Sequence, residues 1–145
     1  MVTKVELVAR YGETDQMGVI HHGVYPLWYE AARTELIKEA TGMSYGAMEE
    51  MGLMTPLTEL TGRYIRPCKF EDRIRVEAYF SKLTPAKIEI IYEVYRNDED
   101  TPANIGKTIL GWVDKANYRP LSLKKCYPDL YRKIEAALET ERAPR

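Results

Sequence analysis

The chain has 145 residues, enough for one domain that buries roughly two thirds of its unfolded surface. Its 21 basic and 22 acidic residues nearly cancel, which removes the broad positive field that draws a protein onto nucleic acid or anionic membrane, so any bound phosphate needs a local basic cluster. Two cysteines, Cys68 and Cys126, lie far apart without CxxC spacing or a neighbouring histidine; they suggest no zinc site and favour a reducing, cytoplasmic setting.

The N-terminus, Met-Val-Thr-Lys-Val-Glu-Leu, carries charges where a signal peptide needs an apolar run, and no stretch of eighteen apolar residues follows, so a soluble, unprocessed chain without a membrane span is expected. From Val2 to Tyr11 apolar residues fall at every second position (Val5, Leu7, Ala9, Tyr11), the pattern of a half-buried strand. A loop around Asp15 follows. Tyr25, Trp28, Tyr29, Ala32, Leu36 and Ala40 then recur at spacings of three and four, which predicts a long helix with one broad apolar face. Pro26 fits only in its first turn, the helix mouth is expected near His22 and Gly23, and Gly42 closes the far end in a left-handed conformation.

A short helix is expected from Ser44 to Met51. Beyond Gly52 the period changes to two. Strands are predicted over Leu57 to Ile65, over the run carrying Ile74, Val76, Ala78 and Phe80, over Lys87 to Arg96, and over Ile105 to Asn117. Asn97 to Asp100 reads as a hairpin loop, and Pro128 to Glu139 as a peripheral helix. One strand, a long helix and four strands in near succession predict an α+β layer, with an antiparallel sheet curved round the helix in a single domain spanning residues 1–145.

The chemistry concentrates between Tyr11 and Arg33. Acyl transfer to water needs a group that attacks or activates water, and donors aimed at the oxygen where negative charge develops. Asp15 supplies a carboxylate, and the backbone N–H groups of His22 and Gly23, at the expected helix mouth, supply donors. The plainer reading of Asp15 is a turn cap before Gly18. For His22 two roles stand side by side, a side-chain part in orienting water or substrate and a backbone N–H alone. A metal role is discounted: adjacent histidines seldom reach one ion, there is no third histidine, and no His-Glu-x-x-His spacing occurs. Tyr25 is a candidate pocket wall, whereas Trp28 and Tyr29 read as core.

The segment Tyr11, Glu13, Asp15, Gly18, Val19 and His22, continued by Tyr25, Trp28, Glu30 and Arg33, resembles the hotdog-fold acyl-CoA thioesterases of the 4-hydroxybenzoyl-CoA thioesterase type. Tyr64, Arg66, Pro67 and Asp72 match a second motif of that family, between its second and third strands. The resemblance implies five or six antiparallel strands wrapped round a central helix, and a homodimer, with a tetramer left open, whose sites lie between subunits. It implies that Asp15 is the essential carboxylate, that the His22 backbone N–H polarises the thioester carbonyl, that Gly18 and Val19 lie beside the substrate, and that Glu30 is a buried support. The implied activity is hydrolysis of acyl-CoA without a cofactor, since CoA is part of the substrate. Gln16-Met17 replaces two small residues found after the Asp in many relatives, which leaves the acyl group open.

Coenzyme A carries phosphates, so basic residues are needed near the pocket mouth. Arg63, Arg66 and Lys69 form one candidate group, and Lys82, Thr84 and Lys87 a second, around Pro85. Two other readings of the fold are a hydratase or dehydratase, which would need acid–base residues on the inner face of the helix where this chain has aromatic and aliphatic ones, and a non-catalytic acyl-CoA sensor, which would have no need of Asp15.

Overall fold

The computed structural model describes residues 1–145, and the alternating runs fold into one antiparallel sheet. Strands β1 (Thr3–Val8), β3 (Leu57–Tyr64), β4 (Arg73–Leu83), β5 (Lys87–Arg96) and β6 (Asn104–Gly111) are ordered β1-β4-β5-β6-β3. A separate two-residue pair joins β2 (Leu53–Met54) to β7 (Val113–Asp114). The sequence reading carries one strand from Ile105 to Asn117. Instead the ladder breaks at Gly111 and Trp112, whose N–H groups turn to the carbonyls of Pro56 and Ala86.

Helix α1 (Tyr25–Thr41) lies across the inner face against β1, β4 and β5. Its stripe of Trp28, Tyr29, Ala32 and Leu36 is no more than 1% exposed and meets Ile74, Val76, Ala78 and Phe80 of β4, equally buried. Each such large side chain contributes about 1.5–3 kcal/mol when fully withdrawn from water. Gly42, at φ +75°, ends the helix, its N–H bonded to the Lys38 carbonyl. Ser44 caps α2 (Tyr45–Glu50), and α3 (Leu123–Cys126), unforeseen in the sequence, leads into α4 (Pro128–Ala136). The architecture is the hotdog arrangement, a curved sheet wrapped round one helix.

The aromatic core dictates one glycine. Tyr29 stacks on Tyr92 with ring centroids 4.6 Å apart, and Gly106 lies directly beneath, so that a Cβ there would fall inside the Tyr29 ring. Gly62 of β3 sits opposite Gly106 in register. The outer sheet face is less solvated than alternation suggests. Glu77 and Glu93 face each other across β4 and β5 and are 5% and 1% exposed, held by Arg142 and Arg145 from the C-terminal segment.

Two features bear on the site. Every residue of β3 is exposed, including Leu57, Leu60 and Tyr64, so a full-length edge strand shows an unpaired row of backbone groups. Further, the register Leu57–Leu110–Ile88 at one end and Tyr64–Asn104–Val94 at the other fixes which loops lie at which end of the sheet.

Candidate active site

The loop between β1 and α1 is tied down before it reaches the helix. Tyr11–Glu13 form a 3-10 turn. Glu13 folds inward to 9% exposure, where its carboxylate accepts the Arg10 N–H at 2.7 Å, Arg10 Nη2 at 3.2 Å and the buried Trp28 Nε1–H at 3.0 Å. Its carbonyl accepts the His21 N–H at 2.8 Å. Burial works against the charge, but the hydrogen bonds from Arg10 and Trp28 outweigh it and hold the Glu13 carboxyl below the usual range. Glu13 is the principal support of this loop, a role sequence reasoning missed. Conversely Glu30, expected as a buried support, has a 66% exposed side chain and lies 4.0 Å from Arg33; Trp28, Tyr29, Ala32 and Leu36 take the inward face of α1 and leave position 30 on the far side, while Arg33, at the flank of that face, reaches inward to two tyrosines.

Within this frame Asp15 closes a tight turn. Its N–H donates to the Val19 carbonyl at 2.8 Å, its carbonyl accepts from Gly18, and Oδ1 accepts the N–H of Met17 at 2.8 Å and of Val19 at 3.4 Å. Gly18 stands at φ +79°, a conformation open to glycine and costly for other residues. The capping role is therefore present, and it is compatible with chemistry: Oδ1 is fixed by amides while Oδ2 makes no bond within the chain. The Ile20 N–H donates to the Cys68 carbonyl and ties the loop to the segment after β3.

Residues from three places meet in a cavity of about 260 Å³, lined by Asp15, Val19, His22, Tyr25, Tyr64 and Arg66 among others. Tyr25 is 2% exposed and packs edge-on against Tyr64 at 5.2 Å. Burial raises its hydroxyl pKa well above the ordinary value, so it remains a neutral wall at working pH. The Tyr64 hydroxyl donates to the His22 carbonyl at 2.8 Å and so fixes the peptide plane that directly follows the candidate donor, the His22 N–H.

The helix mouth differs from the expectation in two ways. The helix starts at Tyr25 with Val24 as its cap, and no side chain caps it. The Gly23 N–H is not available as an oxyanion donor, because it donates to Nδ1 of His21 at 2.9 Å. The N–H groups of His22 and Tyr25 take no acceptor in the chain, so the open donors lie on either side of Gly23. The His21 and His22 rings stack at 4.1 Å and are solvent-exposed.

Arg66 lines the cavity but is partly committed, its Nη2 donating to the Thr101 carbonyl at 2.6 Å and Oγ1 at 3.0 Å. Lys82, Thr84 and Lys87 are not brought to this cavity. They sit at the Leu57 end of the sheet, opposite the Tyr64 end, because β4 and β5 run the sheet's full length before turning. Thr84 Oγ1 caps that turn by accepting the Lys87 N–H at 3.0 Å. Arg63 and Lys69 are exposed. Asp72, the end of the second motif, accepts from the Lys69 N–H and from Asn97, which is a turn-forming role. No group of three or more His, Cys, Asp or Glu side chains is arranged to hold a metal ion, and no helix is long and apolar enough to cross a membrane.

Comparison with known proteins gives a consistent picture. The family model described as the thioesterase-like superfamily matches residues 9–134. A Bacillus subtilis protein provisionally named acyl-CoA thioesterase YneP is 30% identical over 136 residues, covering 94% of this chain and 97% of that one. Among solved structures, a DHNA-CoA thioesterase from Staphylococcus aureus superposes with a TM-score of 0.84 at 32% identity, over 93% of this chain and 91% of that one. A Thermus thermophilus protein, TT1821, described as hypothetical, gives the same TM-score at 29% identity, over 93% of this chain and 98% of its own.

Proposed function

This chain belongs to the thioesterase-like superfamily, and we propose that it hydrolyses acyl-CoA thioesters to free acid and CoA at the Asp15 cavity. The observation that carries the reading is the meeting, in one cavity, of a carboxylate with one free oxygen and a helix mouth with unpaired N–H groups. Relatives named as acyl-CoA thioesterases and thioester hydrolases support the substrate class.

A thioester carbonyl is already electrophilic, and its thiolate leaves with little protonation, so one carboxylate suffices. Asp15 acts either as a general base, taking a proton from the water that attacks the carbonyl carbon, or as a nucleophile whose mixed anhydride is then cleaved by water. In both routes the tetrahedral oxyanion accepts from the His22 N–H, the C–S bond breaks, and CoA leaves as thiolate. The positive end of the α1 dipole favours both charges. No cofactor enters the reaction. Free thiols at Cys68 and Cys126 agree with a reducing, cytoplasmic setting.

The working unit is a homodimer formed by antiparallel pairing of β3 with β3 of a second copy, which would satisfy the exposed edge. Such pairing reverses direction, so the Leu57 end of one copy lies beside the Tyr64 end of the other. Lys82, Thr84 and Lys87 of the second copy then approach the Asp15 cavity, where their charges suit the CoA phosphates. Free-thiol release from a panel of acyl-CoAs tests the activity. Turnover of at least one acyl-CoA is expected, and inertness toward the whole panel would refute it.

A further inference from the structure

A second cavity, of about 380 Å³, opens at the Leu57 end of the sheet between α1, α2 and the start of β3. Its walls include Arg33 and Tyr45 with the apolar Met54, Leu57 and Leu110. Arg33 is unusual. It is 8% exposed, yet no carboxylate neutralises it at hydrogen-bond distance. Nε donates to the Tyr45 hydroxyl at 3.0 Å and Nη1 to the Tyr92 hydroxyl at 3.1 Å, and Tyr92 in turn shares a 2.7 Å hydrogen bond with Thr108.

The third nitrogen, Nη2, makes no hydrogen bond. Its nearest acidic atom is Glu30 Oε2 at 4.0 Å, beyond hydrogen-bond distance and on a side chain that is 66% exposed. Nη2 is not among the buried polar atoms left without a partner, so it is the part of the group that remains accessible. A cation withdrawn from water, braced on two sides and open on the third, is a donor waiting for an acceptor; burial alone would lower its pKa, but the two tyrosine oxygens keep it charged.

The cavity lies at the wrong end of the sheet for the Asp15 site of its own chain. It lies at the right end for the other copy's site, because the antiparallel β3 pairing places Leu57 of one copy beside Tyr64 of the other. We propose that the Arg33 cavity of one copy receives the far end of the acyl chain whose thioester is cleaved at the Asp15 site of the other, and that Arg33 selects acyl chains ending in a neutral hydrogen-bonding oxygen, a hydroxyl or a ketone. The inference rests on the acyl-CoA hydrolase reading and adds the substrate class. A terminal carboxylate is disfavoured, since Glu30 and Glu49 also line the cavity. A plain alkyl end fits the apolar walls but leaves Nη2 without a partner. Arg33 is thus a specificity residue that touches the substrate remote from the bond that breaks.

The test uses the purified protein and a ladder of straight-chain acyl-CoAs to find the preferred length, followed by the omega-hydroxy and omega-carboxy counterparts at that length. The omega-hydroxy substrate is expected to exceed the plain one in kcat/KM by about tenfold, the scale of one hydrogen bond to a charged donor, and the omega-carboxy substrate to fall below the hydroxy one. In Arg33→Met that ratio collapses to near one, and Arg33→Lys, which keeps the charge and stem, restores part of it. An arginine that served only as a strut would weaken both substrates alike and leave the ratio unchanged. Mixed dimers of Asp15→Asn with Arg33→Met chains, isolated with two affinity tags, hold one site with both residues intact if the site is shared, so the preference returns. A wild-type ratio of one or less, or a preference that does not return in mixed dimers, overturns the inference while leaving the hydrolase reading in place. Inertness toward every acyl-CoA overturns both.

Discussion

Replacing Glu13 by Gln isolates the support of the Asp15 loop from the chemistry proposed for it. The carboxylate accepts three hydrogen bonds, from the Arg10 N–H, Arg10 Nη2 and Trp28 Nε1. Glutamine keeps the volume but turns one acceptor oxygen into a donor, so one donor at least faces another, and either the Trp28 or the Arg10 N–H loses its partner. An unsatisfied buried donor costs about 1–3 kcal/mol. On a chain of this size that lowers the melting temperature by several degrees, at about 2–4 °C per kcal/mol. Since Asp15 lies two residues on, the proposed role of Asp15 predicts that kcat falls with it by up to about a hundredfold, the scale of displacing a reacting group by about 1 Å.

The pH dependence gives a second reading of the same contacts. Glu13 has a folded pKa below its ordinary 4.5, so the unfolded chain binds the proton more readily. The stabilisation is therefore fully present above pH 4.5 and is lost as pH falls through the depressed folded value. Thermal melts of wild type and Glu13→Gln, followed by circular dichroism from neutral to acid pH, should show a gap that is constant near pH 7 and narrows at the acid end. A variant that melts within a degree of wild type at pH 7, or a gap that widens in acid, refutes the support role.

Four further outcomes follow from the structure. Gly106→Ala drives a methyl into the Tyr29 ring, wedged against Tyr92, and should cost about 1–3 kcal/mol or more as overpacking, read as a lower denaturation midpoint in urea. His22→Ala keeps the backbone N–H and should retain kcat within about threefold, whereas Tyr64→Phe, which frees the His22 carbonyl, should lose more, up to about tenfold, the value of one hydrogen bond; the reverse order would assign the work to the imidazole. Leu60→Lys on the exposed edge strand should shift the particle from twice 16.8 kDa to 16.8 kDa in light scattering and abolish turnover with it. Lys87→Glu should raise KM for acyl-CoA with little change in kcat, and an unchanged KM removes Lys87 from the CoA path.

Much of this architecture is legible in the residues. The spacing of Trp28, Tyr29, Ala32 and Leu36 sets the inner face of α1, and Ile74, Val76, Ala78 and Phe80 mark the facing strand, because burial of one face imposes a period on both. The strand order is another matter: β3 pairs with β6 between residues 40 to 53 positions apart in the chain, and no local pattern records a long-range partner. Charged side chains are hardest to place. Glu13, Glu30 and Arg33 read alike in sequence, yet Glu13 is buried by Trp28 and Arg10, Arg33 by two tyrosines, and Glu30 is left outside. That the Gly23 N–H is taken up by His21 has a local reason the sequence does not show, since the geometry that turns the His21 imidazole onto it depends on the loop's fold.

The central claim is that Asp15 and the helix mouth act on one thioester. Single-turnover hydrolysis of an acyl-CoA by wild type and by folded, dimeric Asp15→Asn, followed as free thiol, measures it most directly. The expected result is a loss of about a hundredfold or more in the chemical step, the scale of removing a positioned acid–base group, with acyl-CoA still bound. An Asp15→Asn protein that releases thiol at the wild-type rate would contradict it.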